Sequence, residues 1–376
     1  MSETRAAYIH VPFCRHRCGY CNFTLVSGRD DLIDKYLVAL ACELAELQTP
    51  RQVDTLFFGG GTPTHLPSQE LARLLALARE WFPLAPGYEL SVEANPTDMD
   101  ETRAAVLREA GVNRVSLGVQ SFRTEKLALL ERDHRREQIE RAVALCREFA
   151  QSVSLDLIFG APGETLDDWR RDLDAALALA PDHLSTYGLT IERGTAFYSR
   201  QLHGELHKPE EDVEARMYET TIDVLTAAGW DHYEVSNFAR PGHRCRHNET
   251  YWLGRGYYAA GPGAARYLNG RREINHRSTT TYIQRVLAGR SPVAESEELG
   301  AEDRARERLV FALRRLEGIS LSQFTAETGF SPLTLGGCAL TSLAQAGMLE
   351  LTESRLGLTR RGLLVSDAIF PQFLRR

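Results

Sequence analysis

Residues 14–23 read CRHRCGYCNF and place three cysteines, Cys14, Cys18 and Cys21, directly after a β-rich run. Three thiolates on one tight loop fit an iron–sulfur cluster in which one iron is left without a protein ligand. By analogy with open catalytic zinc sites, such an iron is where a substrate or cofactor chelates. The stretch therefore predicts a cluster-binding loop near the start of the chain.

Zinc and plain thiols are the alternatives for these three cysteines. Structural zinc normally takes four ligands, so His10 or His16 would have to complete the set. The chain has seven cysteines, an odd number that does not suggest a disulfide framework. Cys42, Cys146 and Cys338 fall within helical patterns and are expected to be buried thiols.

Short β-rich runs alternate with amphipathic helical patterns over the first half of the chain. The candidate strands are residues 7–13, 54–60, 88–94, 114–120, 153–160 and 183–191. The helical patterns between them include residues 32–47, 68–82, 101–111 and 165–180. Six βα units in series predict an α/β fold with a parallel sheet, either an incomplete barrel or a doubly wound sheet. Polar residues cluster at the predicted strand ends, where a (β/α) barrel places its active site, so we favour a partial (β/α)6 barrel.

Three domains are expected. Residues 1–195 form the partial barrel with its cluster loop, and residues 196–299 extend it. Residues 300–376 suggest a winged-helix-like α+β unit, because three helical patterns precede a hairpin pattern. Residues 316–354, which include the would-be recognition helix, contain no Lys or Arg. A helix that reads DNA needs cations for phosphate and guanine contacts, so a nucleic-acid role is not expected.

Composition and charge limit the classes of protein and the cellular locations that fit this sequence. The 376 residues are 25% charged and 43% hydrophobic, as in an ordinary soluble globular protein, and a net charge of −7 argues against nucleic-acid binding. No apolar run approaches the roughly 18–20 residues that span a bilayer. The first residues, MSETRAAYIHVPFC, lack the apolar core of a signal peptide. A cytoplasmic location is expected.

The CxxxCxxC spacing resembles that of the radical S-adenosylmethionine (SAM) superfamily, and further segments extend the resemblance along the chain. These segments are YIHVPFC, FFGGGTPT, EANP, GVQSF, DLIFGAPGET and YGLT. Their order resembles the oxygen-independent coproporphyrinogen III oxidase-like group and, within it, the haem chaperones most. The resemblance implies that Cys14, Cys18 and Cys21 hold a [4Fe-4S] cluster whose open iron binds SAM. It also implies SAM contacts from Tyr8, Gly60, Gly61, Thr62, Glu93, Gln120, Arg132 and Asp156.

The implied SAM contacts are chemically suited to their roles. Arg132 can pair with the SAM carboxylate, and Asp156 and Gln120 can bind the ribose hydroxyls. Glu93 can meet the ammonium group. Alone, a strand-end carboxylate is as often part of a structural ion pair, and Arg132 alone would more often be a solvated helix residue. The glycine-rich GGGTP segment fits phosphate binding less well, because no GK[ST] follows it.

Phe23 bears on whether the protein catalyses the reaction of the oxidases in this group. In the oxidases of this group the cysteine motif continues with a further cysteine two residues on, and Phe23 stands at that place here. The difference counts against decarboxylation of coproporphyrinogen III as the activity. The alternative is that Phe23 merely packs beside the cluster.

The segment HNETYW at 247–252 matches the HNxxYW pattern of the haem chaperones in this group, whose histidine is implicated in haem binding. A neutral imidazole is the commonest protein axial ligand of haem iron, so His247 is the candidate ligand. Tyr251 and Trp252 can supply apolar walls for a porphyrin face. Cys245 is an alternative axial ligand, and a lone histidine is more often an ordinary hydrogen-bonded residue.

These features favour a haem chaperone that carries a [4Fe-4S] cluster, SAM and haem, and that delivers haem to acceptor proteins, membrane-bound ones included. A flavodoxin or ferredoxin is the expected reductant. The alternatives are a coproporphyrinogen III oxidase-type oxidoreductase and a radical SAM methyltransferase of a heterocycle. One departure concerns the AAGPGAARY segment, where Ala265 stands in place of the histidine usual in the related GPGAHS-type loop. If that histidine helps to hold haem, binding here is weaker or differently arranged.

Overall fold

The structure is a computed structural model that describes residues 3–375. Its strands are β1 (Ala6–Val11), β2 (Phe13–Cys14), β3 (Val26–Ser27), β4 (Val53–Gly60), β5 (Leu84–Ala94), β6 (Arg114–Gln120), β7 (Ser152–Phe159), β8 (His183–Gly188), β9 (Asp231–Glu234), β10 (Asn237–Ala239), β11 (Tyr258–Ala260), β12 (Ala265–Leu268), β13 (Arg271–Asn275), β14 (Val293–Glu298), β15 (Ile319–Ser320), β16 (Leu349–Leu351) and β17 (Arg355–Leu358).

Helices connect most of these strands. They are α1 (Ile33–Ala45), α2 (Ser68–Trp81), α3 (Glu101–Glu109), α4 (Thr124–Leu129), α5 (Arg136–Arg147), α6 (Leu166–Ala178), α7 (Ala196–Leu202), α8 (Glu211–Ala227), α9 (Arg246–Trp252), α10 (Thr279–Leu287), α11 (Ala301–Leu313), α12 (Leu321–Thr328), α13 (Pro332–Gln345), α14 (Arg360–Leu364) and α15 (Ser366–Ile369). No helix within residues 3–375 is long and apolar enough to cross a membrane.

The main sheet has nine strands in the order β11-β1-β4-β5-β6-β7-β8-β10-β9. The six predicted strands are parallel neighbours in chain order, which is the order of a barrel and not of a doubly wound sheet. The later strands extend both edges: β11 joins β1 in parallel, and β10 pairs antiparallel with β8. The partial (β/α)6 barrel is therefore confirmed.

Strand β6 shows how the sequence divides the two faces of the sheet. Val115, Leu117 and Val119 are fully buried and belong to the main hydrophobic core, which includes residues from the surrounding helices. Their alternate neighbours Ser116 and Gln120 face the barrel interior and remain partly exposed. Alternation of this kind leaves one face for packing and the other for a site.

Local sequence features set both ends of helix α3. Helix α3 begins after Asp100, whose side chain accepts a hydrogen bond from the backbone N–H of Arg103 at 2.8 Å. The chain leaves the helix at Gly111, where φ is +76°, a conformation that favours glycine.

The C-terminal unit has its own core. Helices α11, α12 and α13 pack beside a three-stranded sheet of order β15-β17-β16, in which β16 and β17 form the hairpin. This is the arrangement of a winged-helix domain, as predicted.

One prediction about the remaining cysteines was wrong. Cys146 is buried, but Cys42 and Cys338 are exposed. On α1 the buried face is formed by residues such as Tyr36, Leu40 and Leu44, and Cys42 lies on the opposite side.

Candidate functional site

A cavity of about 480 Å³ opens at the carboxyl ends of the barrel strands. The cluster loop, the glycine-rich turn after β4 and the ends of β5 to β8 form its walls. Seven of the eight residues predicted to contact SAM line it: Gly60, Gly61, Thr62, Glu93, Gln120, Arg132 and Asp156. All three cysteines of the opening motif line it as well. The predicted residues therefore converge on one site.

Cys14 is the last residue of β2, and Cys18 and Cys21 lie on the loop between β2 and β3. The Cys14 Sγ is 3.3 Å from the Thr62 hydroxyl oxygen, and the backbone N–H of Cys21 donates to the Cys18 carbonyl at 3.0 Å. Burial raises the pKa of the Cys14 thiol to about 12. The thiol is thus protonated at neutral pH, and metal binding must release its proton.

The side-chain geometry does not favour a mononuclear zinc site. Within residues 3–375 no three His, Cys, Asp or Glu side chains are placed to hold a single ion. His16 is exposed and lies 3.4 Å from a Glu131 carboxylate oxygen, while His10 Nε2 is 2.7 Å from the Thr24 carbonyl oxygen. Neither histidine completes a set with the cysteines. A four-iron cluster requires a different geometry, because each cysteine binds its own iron and the three sulfur atoms need not converge on a single ion.

The glycine-rich turn forms a cradle that side chains would fill. Gly60 has φ of +111°, and a Cβ built there would lie 2.4 Å from the His10 ring. A Cβ on Gly61 would lie 2.6 Å from the Phe13 carbonyl oxygen. Both positions therefore require glycine, which keeps the backbone close to the floor of the cavity.

Two carboxyl groups face the cavity. The Gly60 N–H donates to Glu93 Oε2 at 3.0 Å, and burial together with nearby Asp156 raises the pKa of Glu93 to about 7. The Ser116 hydroxyl donates to Asp156 at 3.0 Å, and burial raises the pKa of Asp156. Both groups are thus poised for a cationic or hydroxyl-bearing ligand. Ser116 was not predicted, although the period-two alternation of β6 places it on the site face.

Arg132 reaches over the cavity between the cluster loop and the strand ends. It donates to the Asn95 side-chain oxygen at 2.6 Å and to the Gly118 carbonyl at 2.8 Å, and one Nη lies 3.7 Å from Cys18 Sγ. Its Nε is buried and has no partner among the described residues. A guanidinium that lies beside Cys18 and keeps an unpaired N–H fits the expected carboxylate of SAM. Asn95 orients this arginine; the EANP motif contained it, but its role was not predicted.

Gln120 has the left-handed φ of +64°, which is uncommon for a residue other than glycine. Strain of this kind persists where the surrounding structure holds it, often at functional sites. Here it occurs at the end of β6, on the cavity wall.

Tyr8 lies one layer below the cavity and does not line it. Its hydroxyl is 3.0 Å from His10 Nδ1, and its ring stacks on Phe57 with centroids 6.1 Å apart. Because His10 also reaches the Thr24 carbonyl, Tyr8 is connected to the cluster loop through His10. A direct contact between Tyr8 and SAM stays a prediction.

His247 lies near the opposite, amino-terminal end of the barrel. It is 1% exposed and stacks on Phe57 at 5.1 Å between ring centroids. Its Nδ1 is 2.9 Å from the Thr55 hydroxyl oxygen and its Nε2 is 2.7 Å from the Tyr251 hydroxyl oxygen. Burial lowers the pKa of His247 to about 3, so the imidazole is neutral. Both ring nitrogens are engaged, and haem ligation through His247 requires one of them to be freed.

Phe23, Cys245 and Ala265, the other residues considered in the sequence analysis, lie in different parts of the structure. Phe23 is 58% exposed at the mouth of the strand-end cavity, where it adds apolar surface. Cys245 is 2% exposed, and its Sγ is 3.7 Å from a Glu89 carboxylate oxygen. Ala265 opens β12, paired with Ile274 of β13.

Comparison with known proteins gives the class. The chain matches the model of the radical SAM superfamily over residues 8–176 and that of the HemN C-terminal domain over residues 299–365. The solved structure of coproporphyrinogen III oxidase (HemN) from Escherichia coli, a radical SAM enzyme, is similar with a TM-score of 0.87 and 25% identity, covering 99% of this chain and 90% of that one. The fold and the matches thus define a radical SAM protein. This class implies a [4Fe-4S] cluster and SAM.

Curated relatives narrow the assignment. The heme chaperone HemW of Bacillus subtilis (strain 168) is 36% identical, covering 98% of this chain and 99% of the relative. The heme chaperone HemW of Mycobacterium tuberculosis (strain CDC 1551 / Oshkosh) is 41% identical, covering 98% and 94%. The chain belongs to the HemW family.

Proposed function

We propose that the protein is a haem chaperone that binds haem and delivers it intact to acceptor proteins in the cytoplasm or at a membrane. The supporting observation is its relation, over 98% of the chain, to HemW proteins named as heme chaperones. The HNETYW segment adds to this, because it forms helix α9 with His247 neutral and Tyr251 beside it. A neutral imidazole is a suitable ligand for haem iron.

The strand-end cavity belongs to the same proposal. Cys14, Cys18 and Cys21 would hold the cluster, and Arg132 and Glu93 would bind the carboxylate and ammonium groups of SAM. When bound, the cluster would supply a site for chelating SAM and an electron for the reductive cleavage of SAM. A flavodoxin or ferredoxin would provide that electron.

The test is whether the protein transfers haem to an acceptor without altering it. Anaerobically reconstituted protein is loaded with haem, given SAM and reductant, and mixed with apomyoglobin. We expect apomyoglobin to recover unmodified haem, measured by its Soret band and by mass spectrometry of the extracted porphyrin. Haem that is recovered chemically altered, or that is not released at all, would contradict delivery of intact haem.

The runner-up is oxidation of coproporphyrinogen III, favoured by the structural similarity to HemN. Phe23 counts against it. In the same anaerobic mixture coproporphyrinogen III should stay unchanged, and the appearance of protoporphyrinogen IX would establish the oxidase instead.

SAM affinity should depend on the ionisation of Glu93. Its pKa is raised to about 7, so the carboxyl gains a proton as the pH falls from 8 to 6 and loses its attraction for the SAM ammonium. We expect affinity to fall through this range, approaching about tenfold per pH unit below the pKa. Calorimetric titration of reconstituted protein should show this slope in wild type and in Glu131→Gln, a control at the cavity wall, but not in Glu93→Gln. An equal slope in Glu93→Gln would rule out this role.

A further inference from the structure

A second and larger cavity, about 1420 Å³ in volume, lies at the amino-terminal end of the barrel. Its walls come from the starts of β1 and β4, from helix α9 and the loop after it, and from helices α11 and α12 of the C-terminal unit. Thr55 lines it, and Gly60 lies five residues further along β4, a distance of about 16 Å at the usual rise of a strand. The two cavities therefore lie at opposite ends of the barrel.

The size and one wall of the large cavity suit a flat aromatic ligand. Ligand sites usually have volumes of about 300–1,000 Å³, so this cavity has room for a macrocycle. Tyr251 packs edge-on against Tyr257 at 4.7 Å between centroids, and Trp252 lies 6.4 Å from Phe311 of α11. The aromatic wall thus spans the barrel and the C-terminal unit.

The rim of the cavity carries cations in excess. Arg255 and Arg304 are exposed, and neither forms an ion pair with any residue in the range 3–375. Arg308 lines the same cavity, and burial together with repulsion from Arg255 lowers the pKa of Arg308. A ligand with carboxylates would relieve this repulsion.

The carboxylates of the same wall are largely neutralised by other arginines. Glu307 pairs with Arg272, and Glu327 pairs with Arg308. Glu249 lies 3.7 Å from Arg244. Arg255 and Arg304 therefore stay available for an anionic ligand.

Tyr251 stands between this cavity and His247. It lines the cavity, whereas His247 does not, and its hydroxyl covers the Nε2 of His247 at 2.7 Å. With the proton of the imidazole on Nδ1, donated to Thr55, the lone pair of Nε2 points at Tyr251. An outer partner that fixes the tautomer is usual for a metal-binding histidine.

We infer that the large cavity is the haem-receiving site, that Arg255 and Arg304 bind the two haem propionates, and that Tyr251 is a gate that turns aside to expose Nε2 of His247. The inference rests on the proposed haem-binding function and adds the location, the propionate contacts and the gate. Haem then binds at the end of the barrel opposite the cluster loop and SAM cavity.

The propionate contacts are tested by titrating reconstituted protein with haem and with metal-free protoporphyrin IX, followed by the Soret band and by quenching of tryptophan fluorescence. The double variant Arg255→Ala/Arg304→Ala should bind both porphyrins at least about tenfold more weakly, because the charge-assisted hydrogen bonds to both propionates are lost. The control Arg136→Ala/Arg290→Ala removes two exposed arginines elsewhere and should bind as wild type does. Wild-type affinity in the first variant would overturn the cavity assignment.

The gate is tested with Tyr251→Phe, which removes only the hydroxyl that covers His247. Haem should associate several-fold faster than with wild type, while protoporphyrin IX, which has no iron to ligate, should bind unchanged. The control Tyr257→Phe changes a neighbouring cavity tyrosine that does not contact His247. Slower or absent haem binding in Tyr251→Phe would refute the gate. Wild-type protein that binds no haem would instead refute the proposed function itself.

Discussion

Replacing Cys18 with alanine is expected to abolish the iron–sulfur cluster. Two thiolates would remain on the loop, and Arg132 would lose the sulfur that lies 3.7 Å from its guanidinium. Cysteine thiolates are the ligands that hold such clusters, so the loss should be complete. Iron and acid-labile sulfide per chain, measured after anaerobic reconstitution, should fall to background.

The matched control for Cys18→Ala is Cys42→Ala. Cys42 is an exposed thiol on α1, outside the cluster loop, and its loss should leave the iron and sulfide content of wild type. Unchanged iron and sulfide in Cys18→Ala would remove the basis for the cluster, and with it the SAM site.

Replacing His247 with alanine is expected to weaken haem binding on the order of 100-fold. Removing a residue that only hydrogen-bonds to a metal ligand already lowers metal affinity by about 10- to 100-fold, and removing the ligand itself should cost at least as much. The mechanism is loss of the axial ligand. Because His247 is buried and hydrogen-bonded to Thr55 and Tyr251, the substitution should also lower the free energy of unfolding by about 1–3 kcal/mol. His247→Gln, which can keep a hydrogen bond, separates the two effects: it should restore stability but not haem affinity.

Two further variants complete this series. His243→Ala removes a nearby histidine outside α9 and should bind haem as wild type does. Cys245→Ser tests the alternative axial ligand, and we expect no change because the Cys245 Sγ lies against Glu89, whereas His247 Nε2 lies against Tyr251 of the cavity wall. Haem affinity lost in Cys245→Ser but kept in His247→Ala would transfer the ligand role to the cysteine.

The barrel could be predicted because each of its strands carries an apolar pattern of its own. Strand β6 occupies the predicted residues, and the other five deviate by only a few residues at their ends. The largest deviation is in β5, which begins at residue 84 and not at residue 88. Residues 84–87 pair with the start of β4 through a register shift, which no side-chain pattern predicts.

The strand-end site was predictable to the same degree. Parallel strands bring their carboxyl ends together, so residues as distant in sequence as Gly60 and Asp156 had to converge. The depth of a side chain is harder to infer, as Tyr8 shows: it lies on an interior face like the others but one layer below the cavity. The contact between Arg132 and Asn95 likewise depends on the path of a loop and not on a sequence pattern.

The cavity at the amino-terminal end of the barrel could not be predicted from the sequence. Its walls come from four separate parts of the chain, near residues 3–6, 54–55, 246–272 and 301–328. The docking of the C-terminal unit against the barrel creates it, and neither partner shows an isolated signal for that docking. HNETYW indicated haem, but the position of His247 behind Tyr251 emerged only from the fold.

The central claim is that haem and SAM are held at opposite ends of one barrel, and haem titration of the wild-type protein tests it most directly. Protein with an intact cluster is titrated anaerobically with haem, with and without saturating SAM, and the Soret band is recorded. We predict a shifted Soret band that saturates at one haem per chain and is the same in both conditions. A Soret band that does not shift while the cluster is intact, or haem that is displaced by SAM, would contradict it.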